Sequence, residues 1–293
     1  MSTRAQPTGT ALGIGMMLLG VFLFATNDAL GKWLVGNFSP GELLFVRSIA
    51  GLAIMAPAMR RTGAARFTRS PRRGLQALRV ALSAAESVLF FYALTALPLA
   101  QVMTYYMAGP IYVTALSPWL LGERVGWRRW SAVAVGFAGV VLALHPSART
   151  MSAQALAALA GSFMYACFMM ATRKLAGTSG TVLMTAQLAA ALLLGGALVV
   201  LQGWIAPGPV DFVLMLVLGA GSLAGNLCVN RALRLAPASV VVPFQYTLIL
   251  WGILFGYVFF GDVLSRATLP GAAIIVAAGL FIFVREQQAK RRA

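Results

Sequence analysis

Apolar residues in this chain come in long unbroken runs, with little of the spaced striping that marks a half-buried surface helix. The runs fall near residues 10–34, 41–59, 75–96, 100–121, 129–145, 152–172, 180–202, 211–233, 238–260 and 267–285. A helix rises about 1.5 Å per residue, so roughly 20 residues cross the hydrocarbon of a bilayer. In lipid every backbone N–H and C=O must be bonded internally, which makes the helix the expected element for each run. The pattern therefore predicts an all-α membrane protein with ten transmembrane helices. The first run is too long for the apolar part of a signal peptide, and a second run follows at once. It is read as the first span.

Composition removes the soluble alternative. Hydrophobic residues make up 60% of the chain and charged residues 10%, against roughly 25% charged in an ordinary soluble domain. The net charge of +16 lies in short clusters between apolar runs, without aromatic interleaving. It reads as a topology signal, with lipid headgroups and not nucleic acid as its partner. With a cytoplasmic N-terminus, 19 of the 23 Lys and Arg residues fall on the inner side, Arg79 counted among them. Lys32, Arg149 and Arg266 fall outside, and Arg47 lies within the second span. The bias predicts that both termini are cytoplasmic.

The two halves of the chain match in register. Offset by 139 residues, Ala93–Glu123 falls on Ala232–Asp262 without a gap. Pro98 then meets Pro237, and the turn Gly122-Glu123 meets Gly261-Asp262. Offset by 141, Gly20, Phe22, Ala25 and Lys32 meet Gly161, Phe163, Ala166 and Arg173. Five spans per half make the second half enter the membrane from the opposite side. The expected architecture is two inverted five-helix repeats, 8–146 and 150–286, with a basic cytoplasmic tail at 287–293. Inverted repeats suit secondary transporters, since near-equivalent halves can present one midplane site to either side.

Ten spans, the duplicated half, and the Leu121-Gly122-Glu123 turn followed by Gly136 and Gly139 resemble the EamA-like family of the drug/metabolite transporter superfamily. The second-half turn Gly261-Asp262, with Gly271 and Gly279, fits the same pattern. In character the chain looks most like YddG-type amino-acid exporters. The resemblance implies a bacterial inner-membrane location and a central cavity lined by spans one, three, four, six, eight and nine. It also implies net export of small metabolites, without a cofactor.

Several side chains are candidates for that work. Glu86 lies near the middle of span three, where an ionisable group is costly, and shares a helix face with Arg79, Ser83 and Phe90. It either faces the cavity, holding an ammonium or a coupling proton, or serves as a structural partner for Arg47. Arg47 itself can meet a substrate carboxylate or act in structure and gating. Asp28 and Lys32, four apart on span one, are spaced for a local ion pair near the outer end. Gln101, Tyr105, Tyr106 and Tyr112 on span four, Asn226 and Asn230 on span eight, and Gln245 and Tyr246 on span nine are expected to build a neutral, aromatic cavity wall. Tyr165 lies beside Met164, Met169 and Met170 on span six. Each of these also has a plain packing role open to it. Pro110, Pro118 and Pro243 are expected to kink spans four and nine.

These features favour an exporter of amino acids, including aromatic and neutral ones, working by alternating access. An anionic cargo such as a nucleotide sugar would need several deep cations, and only Arg47 is clearly inside a span. An enzyme would need convergent catalytic groups or a metal site. The chain offers a single histidine, His145, at a span end, two unpaired-looking cysteines, Cys167 and Cys228, and no phosphate-binding glycine loop. A receptor would usually carry larger loops. The reading requires no partner chain and is compatible with a monomer.

Overall fold

A computed structural model describes residues 7–62, 72–121, 126–144, 152–175, 177–235, 241–263, 266 and 268–292. Among them there are helices and turns and no strand. The first half contains α1 (Pro7–Leu34), α2 (Pro40–Thr62), α3 (Arg73–Leu94), α4 (Leu99–Tyr106), α5 (Gly109–Leu121) and α6 (Trp127–Leu144). The second contains α7 (Ala153–Lys174), α8 (Gly180–Gln202), α9 (Pro209–Leu235), a 3₁₀ turn (Val242–Tyr246), α10 (Thr247–Phe260) and α11 (Thr268–Arg292). Seven of these, α1, α2, α3, α7, α8, α9 and α11, are long and apolar enough to cross a membrane. Trp130–Ala143 and Phe244–Phe260 are shorter apolar helical stretches.

The helices start where local chemistry lets them. Ser39 and Glu42 form a reciprocal capping box at the head of α2. The Glu42 N–H donates to Ser39 Oγ at 3.2 Å, and the Ser39 N–H donates to Glu42 Oε2 at 2.9 Å. The other Glu42 oxygen accepts the Ile205 N–H from the α8–α9 connection. The carboxylate of Glu42, a residue 1% exposed, is thus held by two backbone N–H groups, those of Ser39 and Ile205. Ser152 caps α7 by accepting the Ala155 N–H at 3.2 Å.

Spans four and nine are interrupted, as the prolines predict. α4 stops at Tyr106, two residues pass without helical continuation, and α5 starts at Gly109 with Pro110 in its first turn. Proline has no N–H to give the preceding turn, so the ladder breaks there at little further cost. Pro118, by contrast, sits inside α5 without ending it. In the second half Pro243 opens a 3₁₀ turn that leads into α10.

The principal packing partners cross between the halves. α1 lies mainly on α9, α2 on α8, α3 on α7 and α6 on α11. Small residues permit these approaches. A side chain at Gly195 would strike the backbone of Phe45, and one at Gly219 would strike the Arg47 carbonyl. Gly271 lies against the backbone of Ala143 in the same way. Between lipid-solvated helices close backbone contact replaces the hydrophobic effect as the main attraction.

Candidate functional site

The breaks in spans four and nine face one cavity of about 350 Å³. Its wall includes Tyr106, Met107 and Thr114 from the first half, and Tyr165, Met169, Met170, Arg173, Gln245, Tyr246 and Phe283 from the second. The interrupted backbone thus sits beside the hollow, where irregular backbone inside a bundle is tolerated. Spans four, six and nine line it, and so does span ten through Gly279, Ile282 and Phe283. Spans one, three and eight give nothing to this wall. That corrects the lining expected from the resemblance.

An aromatic layer is the physical reason. Phe90 of α3 meets Tyr106 edge to face at 5.1 Å, and Tyr106 lies 6.1 Å from Tyr165, ring centre to ring centre. These rings fill the space between α3 and the hollow. Phe90 therefore backs the wall without forming it, and Glu86 lies behind the layer. The Tyr106 hydroxyl is buried beside the Glu86 carboxylate, yet closes no hydrogen bond of good geometry. Gly161 provides the room that hydroxyl occupies, and Gly279 does the same for the hydroxyl of Tyr246.

The remaining wall candidates separate cleanly. Tyr105 is fully buried and accepts a hydrogen bond from Gln101 Nε2 at 2.8 Å, away from the cavity. Asn226 turns back on its own helix, donating to the Ser222 carbonyl at 2.9 Å, and Asn230 is exposed. Neither lines this hollow. Periodicity put both asparagines on one face of α9 but could not say which face turned inward. Met107, Thr114, Arg173 and Phe283 were not picked out for the wall. For Arg173 a signal existed, since it is the repeat counterpart of Lys32.

Arg79, counted from sequence with the loop charges, is 4% exposed. Its guanidinium donates to Thr172 Oγ1 at 2.7 Å, the Leu183 carbonyl at 3.0 Å and Gln187 Oε1 at 3.1 Å, and lies over the Phe168 ring. Each of its three nitrogens donates once, and together they join α3, α7 and α8. This is a structural clamp. Arg47 donates to Ser87 Oγ at 3.0 Å and stacks over Phe91, while Ser87 Oγ donates to Glu86 Oε2 at 3.3 Å. Arg47 thus reaches Glu86 through a hydroxyl.

The expected Asp28–Lys32 pair is replaced by a longer-range one. Lys32 forms an ion pair with Asp262, 230 positions away in sequence, and lies over the Phe260 ring. Asp28 instead interacts electrostatically with Glu86 and Arg47. Asp262 is held in place by Gly261, whose left-handed backbone (φ 63°) ends α10. The same Asp262 oxygen accepts the Leu99 N–H at 3.1 Å, capping α4. One carboxylate therefore fastens the ends of α1, α4 and α10. The repeat-equivalent turn, Gly122-Glu123, lies outside the described residues.

The clasp and the cavity occupy different ends of the bundle. Gly31 abuts Phe91 near the finish of α3, whereas Arg79 near its start meets Thr172, next to Arg173. The cavity runs from the Tyr106–Tyr165 layer toward Arg173 and Phe283. A hollow floored by aromatics and walled by methionines and the Gln245 amide can hold an amphiphilic organic molecule. Among the described residues no group of His, Cys, Asp and Glu could hold a metal ion.

Known proteins share this plan. An S-adenosylmethionine uptake transporter from Rickettsia conorii is 25% identical over 280 residues, covering 96% of this chain and 95% of that protein. A riboflavin transporter from Rhizobium johnstonii is 27% identical over 295 residues, covering 99% and 97%. One crystal structure superposes with a TM-score of 0.64 at 19% identity, covering 97% of this chain and 99% of the other. The multi-pass architecture and the transporters among its relatives agree with a bacterial inner-membrane protein that moves small molecules. The model of the EamA-like transporter family matches twice in succession, over residues 11–145 and 152–284, and the chain belongs to that family.

Proposed function

We propose that this protein is a secondary transporter that moves an amphiphilic metabolite through the cavity by alternating access, and that aromatic and other neutral amino acids are its cargo, carried outward. The observation that carries this reading is the cavity wall. Tyr106, Tyr165 and Tyr246 offer ring faces for an apolar or aromatic group, Met169 and Met170 adapt to its shape, and Gln245 supplies a fixed polar contact. Ten membrane crossings, with spans four and nine each built from interrupted helix, give two inverted halves. Positive-inside topology then sets the cavity end in the cytoplasm, next to Arg173, and the Lys32–Asp262 clasp at the outer end. By sequence Arg173 and Glu123 are the repeat counterparts of Lys32 and Asp262. They have the chemistry for a second clasp that closes the inner end when the outer one opens.

A second reading is favoured by the names of the relatives. Transport of S-adenosylmethionine and of riboflavin in those proteins makes a ring-bearing heterocyclic metabolite the other cargo class for the same tyrosine wall, carried inward. Proteoliposomes loaded in turn with labelled phenylalanine, S-adenosylmethionine and riboflavin, with gradients set in each direction, separate the two. Saturable flux of phenylalanine that unlabelled tryptophan inhibits supports the first reading. Flux confined to the heterocycles replaces it with the second, and flux of none of them overturns both.

A further inference from the structure

Behind the Tyr106–Tyr165 layer lie three ionisable side chains on three different helices: Asp28 of α1, Arg47 of α2 and Glu86 of α3. Arg47 and Glu86 share the Ser87 hydroxyl, at 3.0 and 3.3 Å. Arg47 stacks 4.9 Å from the centre of the Phe91 ring, and Gly31 packs against the same ring. Asp28 is one helical turn from Gly31, and it interacts electrostatically with both Glu86 and Arg47. Among the described residues Asp28 makes no hydrogen bond and no ion pair. Asp28 and Glu86 are part-buried, so a water-sized gap remains beside each. The Tyr106 hydroxyl, buried and closing no hydrogen bond of good geometry, sits beside Glu86.

Among the described residues, the groups that face this space from the packed elements are few. α4 brings Tyr106 and α7 brings Tyr165. α9 meets α1 through Ser222, which accepts a hydrogen bond from Asn27 at 3.0 Å, and is neutral there. Arg79, the other cation of α3, is committed to Thr172, Leu183 and Gln187. Lys32 is committed to Asp262. The space therefore has two carboxyl groups and one guanidinium, and the guanidinium keeps its charge. With both carboxylates ionised the set holds one unbalanced negative charge inside a membrane bundle, a costly state that neutralisation relieves.

We propose that the space between Asp28 and Glu86 is a site for one monovalent positive charge. The shared chemistry is a cation accepted by a pair of carboxylates. Its source is either a proton from water or the ammonium or sulfonium group of a cargo whose apolar part rests on the tyrosine layer. In the first case Tyr106 and Tyr165 separate a coupling site from the cargo. In the second they are rings that move aside to admit one charged group. The inference extends the transporter reading above, but it makes claims about the purified protein that need no flux.

The test uses the full chain in lipid nanodiscs, with Asp28→Asn and Glu86→Gln as separate near-isosteric variants. Infrared spectra at neutral pH read the C=O stretch of a protonated carboxyl. Binding is measured with phenethylamine and with its uncharged analogue 2-phenylethanol. A proton source gives a protonated-carboxyl band in the wild type that one variant loses. A cargo source gives binding of the amine that is roughly tenfold or more tighter than that of the alcohol, a preference either variant removes. A wild type with neither the band nor the preference overturns the site, and so does a band or preference that both variants keep. The wild-type spectrum and its two affinities stand even if a variant fails to fold. If these signals appear while proteoliposome flux is absent, the transport reading fails and the site survives.

Discussion

Where the first half places Asp28, the second half has Met169, and where the first places Arg47 the second has Gln187. Glu86 falls, within one residue, on Gly225 and Asn226. The same helix pairings hold both halves together, but among the described residues charge deep in the bundle is confined to one of them. Met169 lines the cavity and Gln187 accepts a hydrogen bond from Arg79. The second half thus supplies surface for cargo and neutral hydrogen bonds, while the first supplies an ionisable interior. A duplicated scaffold has fixed packing needs at both copies. Chemistry that costs stability, such as buried charge, need be present in only one.

The largest effect is expected where both halves share a need. Gly195→Leu or Gly219→Leu puts a side chain into the backbone of α2, and should lower stability by about 3 kcal/mol. Thermal unfolding in detergent reads this. Gly74→Ala, where the added methyl meets open space, is the control and should leave the midpoint unchanged. An equal loss at Gly74 would show that the close approaches do not govern assembly.

Exchanging residues between the halves sharpens the contrast. Arg47→Gln, which gives the first half the second half's residue, leaves Glu86 without its hydroxyl-mediated cation. Transport should fall about tenfold, a change of about 1.4 kcal/mol. Gln187→Met should change transport less than about threefold, because Arg79 keeps Thr172 and the Leu183 carbonyl. Equal losses in the two flux assays would abolish the asymmetry.

The clasp offers a smaller effect. Lys32→Ala and Asp262→Ala should each shift the balance toward the outer-open form by roughly fivefold. Thiol labelling of a single cysteine placed at Leu97 would report it. The charge-exchanged pair, Lys32→Asp with Asp262→Lys, should recover part of the shift. No recovery would mean that capping of α4 by Asp262, and not its ion pair, closes that end. Smallest of all, Asn230→Ala should leave stability within about 0.5 kcal/mol and transport unchanged. A clear transport defect would place α9 in the pathway after all.

Much of the architecture was legible in the chain. The observed helices fall within a few residues of the apolar runs for most spans, because apolar length is itself the requirement for crossing lipid. The broken backbone of spans four and nine was foreshadowed by Pro110 and Pro243, since a missing N–H is a covalent fact. Tyr106, Tyr165, Gln245 and Tyr246 line the cavity. Asn226, Asn230 and Tyr105 were not there, and Phe90 and Glu86 stood one layer behind it. Helical spacing tells which residues share a face, but the direction of that face depends on neighbours far along the chain.

Sequence alone determined the membrane-spanning character, the duplication and the weak points of the ladder, because each follows from composition or covalent structure within a short window. Only the tertiary structure decided that Lys32 meets Asp262 and not Asp28, that Arg79 is a clamp, and that an aromatic layer divides the cavity from the charged interior. A local pair four residues apart and a pair 230 residues apart are equally allowed by charge. The choice between them belongs to the packing of α1 against the turn after α10, where the Gly261 backbone aims one carboxylate at both Lys32 and the start of α4.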